Sequence, residues 1–78
     1  MLKPHKHADP SLSVVNVAGL IIAALHKNTI LAYDDLLAIL TDQASAGVKE
    51  VYHYALSFLY LVGKIEYISE IDALRMTG

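Results

Sequence analysis

The clearest structural signal lies near the end of the chain, in LVGKIEYISEIDALRM (residues 61–76). Residues 64–68 alternate apolar and polar side chains as a β-strand does, and residues 73–76 can return as a second strand. The run SEID between them, residues 69–72, contains Ser, Glu and Asp and is typical of a turn. Gly63 precedes the first strand and predicts the end of a helix there, because glycine is favoured in the left-handed conformation of a helix C-cap. The stretch therefore predicts a helix followed by a β-hairpin.

The region before this stretch predicts two further helices and a short strand. Ser11 or Ser13 can cap a first helix over about residues 12–26, which is apolar nearly all round. Its predicted core row is Leu12, Val15, Ala18, Ile22 and Leu25. The β-branched run NTILA at residues 28–32 can then pair as a strand.

The second and third helices complete the order of elements. Asp34 and Asp35 favour a helix start, since acidic side chains are stabilised at the positive end of the helix dipole, and this helix covers about residues 34–43. The third helix covers about residues 48–62. Its predicted core row is Val48, Val51, Tyr52, Ala55, Phe58 or Leu59, and Val62. Helix, strand, helix, helix and hairpin in this order predict a mostly helical α+β fold, the winged helix.

The first ten residues, MLKPHKHADP, differ from the rest. Pro4 and Pro10 each disfavour helical angles at the residue before them. We therefore expect an extended N-terminal arm over residues 1–10 and a winged-helix domain over residues 11–78.

The composition predicts a protein partner. Of the 78 residues, 55% are hydrophobic and 18% charged, against roughly 45–50% and about 25% in typical soluble domains. A domain this small cannot bury so much apolar surface in its own core, so another chain is expected to cover part of it. The absence of cysteine fits a cytoplasmic protein. The most apolar stretch, residues 14–25, is too short to span a bilayer.

Specific DNA binding is the obvious alternative, since the third helix of winged helices often enters the major groove. The net charge of −2 gives no basic surface. The predicted exposed positions of the third helix include one lysine, and the turn of the hairpin contains two acids. Phosphate and base contacts rely mainly on Arg, Lys, Asn and Gln. A small dimeric DNA-binding regulator, with the first helix as its dimer seam, stays open as an alternative function. A homo-oligomer of this chain, with no other partner, also stays open.

Two surfaces are predicted to contact the partner. The first is the outer face of the first helix, formed by Val14, Val17 and Ile21. The second is the pair Tyr54 and Tyr60, which fall off the core row of the third helix and belong to a residue type enriched in interfaces. The other tyrosines are predicted to be half-buried with a wet hydroxyl, as at Tyr52 and Tyr67.

No pattern of catalytic residues is present, and a non-enzyme without cofactor is expected. There is no glycine-rich phosphate loop and no nucleophile elbow. Asp34 and Asp35 are neighbours that point apart on a helix. His5 and His7 can face the same side of an extended arm, but zinc needs three or four fixed ligands, so no metal is expected.

The chain resembles a known family at both ends. The opening LKPHKHADPSLSVVNVAGLIIAAL contains Pro4, Lys6 and His7, which match a Pro-x-Lys-His arm before an apolar helix. The later ALSFLYLVGKIEYI contains Val62, Gly63 and Ile65, which match a pattern entering the wing. These features resemble the small middle components of the ABC-three-component systems, and more narrowly the sixth such family (middle component 6).

The resemblance implies a role and partners. It implies a winged-helix adaptor that joins an SMC-like or RecF-like ABC ATPase to an effector protein in a prokaryotic defence system against phage or plasmids. On this view the arm docks on a partner or on its own domain through Pro4, Lys6 and His7. Prolines stiffen the arm and lower the entropy lost when it is ordered.

Overall fold

The computed structural model describes residues 12–77. The elements are α1 (Val14–Asn28), β1 (Ile30–Ala32), α2 (Tyr33–Gln43), a 3-10 turn (Ala46–Val48), α3 (Lys49–Leu61), β2 (Ile65–Ile68) and β3 (Ala73–Met76). Their order confirms the predicted mostly helical α+β fold, and the arrangement is compatible with a winged helix. The predicted arm, residues 1–10, lies outside the described residues.

The three strands form one antiparallel sheet in the order β1-β3-β2. The predicted hairpin is confirmed as β2 and β3, and the short early strand β1 joins it along the other edge of β3. Leu74 of β3 lies between Leu31 of β1 and Tyr67 of β2. These partners share one side of the sheet, because side chains opposite each other in a ladder point to the same face.

The helix ends form at the residues that the sequence indicates. The side-chain oxygen of Ser13 accepts a hydrogen bond from the Asn16 amide at 3.1 Å, and so caps α1. At the end of α3, Gly63 has a φ of 78°, and the Lys64 amide donates to the Leu59 carbonyl at 2.9 Å. This bond, with the one from the Gly63 amide to the Tyr60 carbonyl at 3.0 Å, is the Schellman arrangement that turns the chain into the hairpin.

The core lies where α1 packs against α3, α2 and the inner side of the sheet. Its largest fully buried side chains are Tyr52, Ile21, Leu25, Leu36, Leu40, Leu59, Val17 and Val48. The Tyr52 hydroxyl donates to the Tyr33 carbonyl at 2.8 Å, and the two rings meet edge to face at 5.1 Å. Tyr52 therefore joins α3 to the start of α2 rather than keeping the predicted wet hydroxyl. Among the helices of residues 12–77, none is long and apolar enough to cross a membrane.

The predicted core row of α1 is partly wrong. Val17 and Ile21, predicted to lie on an outer face, have no exposed area, and Val14 is partly buried. Val15, predicted to be in the core, is 67% exposed. The apolar residues of α1 occupy most of its circumference, so periodicity alone does not select the covered side. Contact with α2, α3 and β3 selects the side that contains Val17 and Ile21.

The predicted core row of α3 also needs correction. Leu59 takes the core position that was open between it and Phe58, and Phe58 is 41% exposed. Val62 is 52% exposed because the helix ends at Leu61 and the chain turns away from α1. Leu56, absent from the predicted row, is buried instead.

Candidate partner-binding surface

The outward side of α3 exposes a continuous group of large apolar side chains. Tyr54, Phe58 and Leu61 follow one another at spacings of four and three residues, so they share one side of the helix. Their exposed fractions are 60%, 41% and 81%, and Val62 continues the group past the helix end. We call these four residues the α3 face. Exposed apolar groups of this kind mark interaction sites more often than isolated apolar residues do.

A groove lies beside the α3 face, between α3 and the inner side of the hairpin. Its volume is about 760 Å³, which is within the range of ligand-binding pockets. Leu56 and Ser57 line it from α3, and Ile65, Tyr67 and Leu74 line it from the sheet. Tyr60, His53 and Leu61 line it as well. We call this feature the wing groove. Leu61 belongs to both the groove and the α3 face, so the two form one continuous surface.

The start of α2 and the end of the turn bring two acids to the wing groove. Asp34 follows Tyr33, whose amide donates to the Asp72 carbonyl at 2.9 Å. The Tyr67 hydroxyl donates to the Asp72 carboxylate at 2.5 Å, which raises the pKa of the Tyr67 hydroxyl. Burial raises the pKa of Tyr52 well above its ordinary value, and the nearby charges of Tyr33, Asp34 and Asp72 raise it further. Both tyrosines therefore stay protonated donors at neutral pH.

Two of the cations in this region lie beside acidic side chains. The Arg75 guanidinium contacts the Glu66 carboxylate at 3.1 Å across the sheet, so the negative charge of Glu66 balances the positive charge of Arg75. Lys49 stands at the first position of α3, and Glu50 follows it. In residues 12–77, no three His, Cys, Asp or Glu side chains are grouped so as to hold a metal ion. His5 and His7 lie outside the described residues.

A model of one protein family matches residues 29–77, which is more than half of the chain. It describes the ABC-three component (ABC-3C) system Middle Component 8. The chain belongs to this family. The resemblance to ABC-three-component middle components is thus confirmed, whereas the narrower assignment to middle component 6 is wrong. Comparison with curated proteins found no match, and comparison with solved structures found none.

The part of the chain that the family model matches begins at the C-cap residue of α1 and continues through β3. It contains the α3 face and the wing groove in full, and it leaves out the arm and α1. The misassignment has a simple reason, because part of the predicted resemblance rested on the arm and the apolar first helix. Short apolar patterns of that kind recur in many unrelated helices.

The structure separates the predicted contact residues into four groups. Pro4, Lys6 and His7 lie outside the described residues. Val17 and Ile21 are fully buried in the core, so in this fold they present no surface to a partner. Tyr54 and Tyr60 are exposed at 60% and 61%, and they remain candidates. Val14 is partly buried against the core.

The sequence reasoning missed several residues of this surface. Val62 was assigned to the core, and the core position was left open between Phe58 and Leu59. Leu61, Asp34 and Asp72 were given no binding role. The spacing from Tyr52 to Ala55, Leu56 and Leu59 already indicates a core side that excludes Phe58 and Leu61. No local pattern shows that Asp34 and Asp72 line the same groove, because the bond from the Tyr33 amide to the Asp72 carbonyl joins segments far apart in the chain.

Proposed function

We propose that this middle component is a non-catalytic adaptor. It links an SMC-like or RecF-like ABC ATPase to an effector protein in a prokaryotic system that acts against phage or plasmids. Rearrangement of the ATPase, driven by ATP or DNA, alters how the adaptor holds the effector. The arm over residues 1–10, docking through Pro4, Lys6 and His7, and the winged-helix domain over residues 11–78 belong to this proposal, as does a cytoplasmic location.

The exposed α3 face is the observation that supports this proposal most strongly. In DNA-binding winged helices, the corresponding helix inserts into the major groove. Here that side presents Tyr54, Phe58 and Leu61 to solvent. Protein interfaces are enriched in aromatic residues and have few charges at their centre. The chemistry of the surface therefore favours a protein over a phosphate backbone.

Co-expression tests the proposal. The chain, tagged, is produced together with the products of the adjoining genes, and the purified complex is identified by mass and sized by light scattering. We expect a large ATPase in a fixed ratio to this chain. Recovery of this chain alone, as a dimer that shifts duplex DNA at moderate salt, would instead favour the regulator.

A pair of matched variants locates the interface. The double substitution Tyr54→Ser with Leu61→Ser removes two large side chains from the α3 face, and a few such residues dominate most interfaces. We expect it to abolish co-purification while the variant still folds. Val15→Ser is the control, because Val15 is also mostly exposed but lies on α1. If the control and the double variant retain the partners equally, the α3 face is not the contact.

Salt titration separates the adaptor from the DNA-binding regulator. A protein held by phosphate contacts loses affinity steeply as salt rises, because counterions are released from the nucleic acid. An apolar adaptor interface is expected to weaken little between about 50 and 200 mM salt. The acids Glu70 and Asp72 in the turn, and the pairing of Arg75 with Glu66, support the adaptor.

A further inference from the structure

The wing groove combines an apolar floor with an acidic end. Leu56, Ile65 and Leu74 are buried and form the floor, and Tyr60 and Leu61 rise beside it with exposed fractions of 61% and 81%. The groove is large enough to take more than one side chain, since about 760 Å³ exceeds the volume of any single side chain. Its size therefore suits a short segment of chain better than one anchoring side chain.

The acidic side chains of the groove indicate which kind of segment it would bind. Among the described residues that line it, Asp34 and Asp72 are the carboxylates, and neither Lys nor Arg is present. One oxygen of Asp72 accepts the Tyr67 hydroxyl, while in residues 12–77 the Asp34 carboxylate has no hydrogen-bond or salt-bridge partner. A bound segment that brought another acid would be repelled, and one that brought a cation would pair with Asp34.

The aromatic rings favour arginine as that cation. Tyr33, Tyr60 and Tyr67 all line the groove. A guanidinium can stack on a tyrosine ring and donate to a carboxylate at the same time, because it is planar with several fixed donors. A lysine ammonium offers a point charge without the stacking plane.

We propose that the wing groove binds a short segment of another component of the system, in which an arginine stands beside large apolar side chains. The apolar side chains lie on the floor of the groove and pack against the exposed Tyr60 and Leu61, and the arginine reaches Asp34 at the acidic end. This inference rests on the proposed adaptor function and gives the partner its chemistry. It also extends the contact from the α3 face, since Leu61 borders both.

Photocrosslinking within the assembled complex tests the occupant. The photoreactive residue p-benzoylphenylalanine replaces Tyr60 on the groove wall, and in a control it replaces Val15 on α1. After co-expression with the products of the adjoining genes and irradiation, the crosslinked peptide is identified by mass spectrometry. We expect a crosslink from position 60, and not from position 15, to an apolar segment of another component that contains arginine.

A charge-neutral variant tests the acidic end in the same complex. Asp34→Asn is expected to lower the yield of this crosslink roughly tenfold, since it removes the charge that pairs with the arginine. Asp35→Asn is the matched control, because Asp35 shares the first turn of α2 with Asp34 but does not line the groove. The control is expected to stay within about twofold of the unmodified chain. Circular dichroism checks that both variants fold.

The outcomes separate this inference from the proposed function. If the complex fails to assemble with the unmodified chain, the adaptor proposal fails and this inference fails with it. If the complex assembles but position 60 crosslinks to residues 1–11 of the same chain, to a second copy or to nothing, the adaptor stands and the inference is overturned. Equal crosslink yields for Asp34→Asn and Asp35→Asn would also overturn it.

Discussion

Neighbouring elements cover nearly all of the large apolar side chains of α1, whereas several large apolar side chains of α3 are exposed to solvent. In α1 the exposed exception is Val15, at 67%. In α3, Tyr54, Tyr60 and Leu61 are each at least 60% exposed. Both helices have strongly apolar sequences, and both were expected to offer a contact surface. The difference shows that apolar content alone does not identify an interface.

The positions of the two helices in the fold explain the difference. Helix α1 packs against α2, α3 and β3, so three neighbours share its circumference. Helix α3 packs against α1, the 3-10 turn, β2 and α2, and the side that contains Tyr54, Phe58 and Leu61 stays exposed. The apolar residues of α1 are therefore expected to act on stability, and the exposed residues of α3 on assembly. Four predictions test this division.

Introducing a charge on the two sides of α1 should give the largest contrast. Val17→Asp places a carboxylate in the core without a partner, and we expect it to lower the free energy of unfolding by about 4 kcal/mol or more. Val15→Asp, two residues earlier and mostly exposed, should change it by less than about 0.5 kcal/mol. Thermal unfolding followed by circular dichroism measures both. Equal melting curves would mean that Val17 is not a core residue.

Substituting two leucines of α3 should show separate effects on stability and on assembly. Leu59 is 2% exposed and Leu61 is 81% exposed. Leu59→Ala should lower the free energy of unfolding by about 3 kcal/mol, because it leaves a cavity. Leu61→Ala should leave stability within about 0.5 kcal/mol and weaken co-purification with the partners. Urea unfolding and the co-expression assay measure the two effects. A Leu61→Ala variant that is destabilised but still assembles normally would contradict the division.

The buried hydroxyl of Tyr52 makes stability depend on alkaline pH. The raised pKa of Tyr52 in the folded chain means that the unfolded chain releases this proton first, from a pKa near 10.0. Its contribution is therefore complete below about pH 10 and is lost as pH rises further. Tyr52→Phe should lower stability at neutral pH by about 1–2 kcal/mol, because the Tyr33 carbonyl loses its donor.

The same variant should also flatten the alkaline loss, as measured by urea unfolding at pH 8 and pH 10.5. Tyr54→Phe, which removes an exposed hydroxyl from the same helix, serves as the control. A control that flattens the loss as much as Tyr52→Phe would assign the effect to another group.

Two glycines should respond to alanine with opposite signs. Gly63 ends α3 with a φ of 78°, which strains any side chain, so Gly63→Ala should cost about 1 kcal/mol. Gly19 lies inside α1 with open space around it, and Gly19→Ala should add about 0.5–1 kcal/mol. Melting temperatures of the two variants check the signs. A loss of stability in Gly19→Ala would show that this side of α1 is covered in solution.

Much of the fold was predictable from local chemistry. The hairpin, its turn and the Gly63 cap follow from alternation and glycine placement, and the structure confirms each. The start of α2 lies within one residue of the predicted Asp34. The exposure of Tyr54 and Tyr60 was also predicted, since both lie away from the core side of α3.

The candidate surface was predictable only in part. Phe58 and Leu59 could have been told apart, because the spacing from Tyr52 and Ala55 favours Leu59 as the buried residue. The wing groove has no local signature, because its floor combines Leu56 with strand residues that follow later in the chain. The burial of Val17 and Ile21 likewise depends on the contacts of α1 with α2, α3 and β3.

Local preferences in the amino-acid sequence were thus enough to establish the order of helices and strands, the caps and the shortage of cations. These properties depend on residues within a few positions of one another. The covered side of α1, the presence of Asp34 and Asp72 in one groove and the bond from Tyr52 to Tyr33, which lie nineteen positions apart, arise only in the tertiary structure. The physical reason is that burial and pairing depend on neighbours that folding brings together from distant parts of the chain.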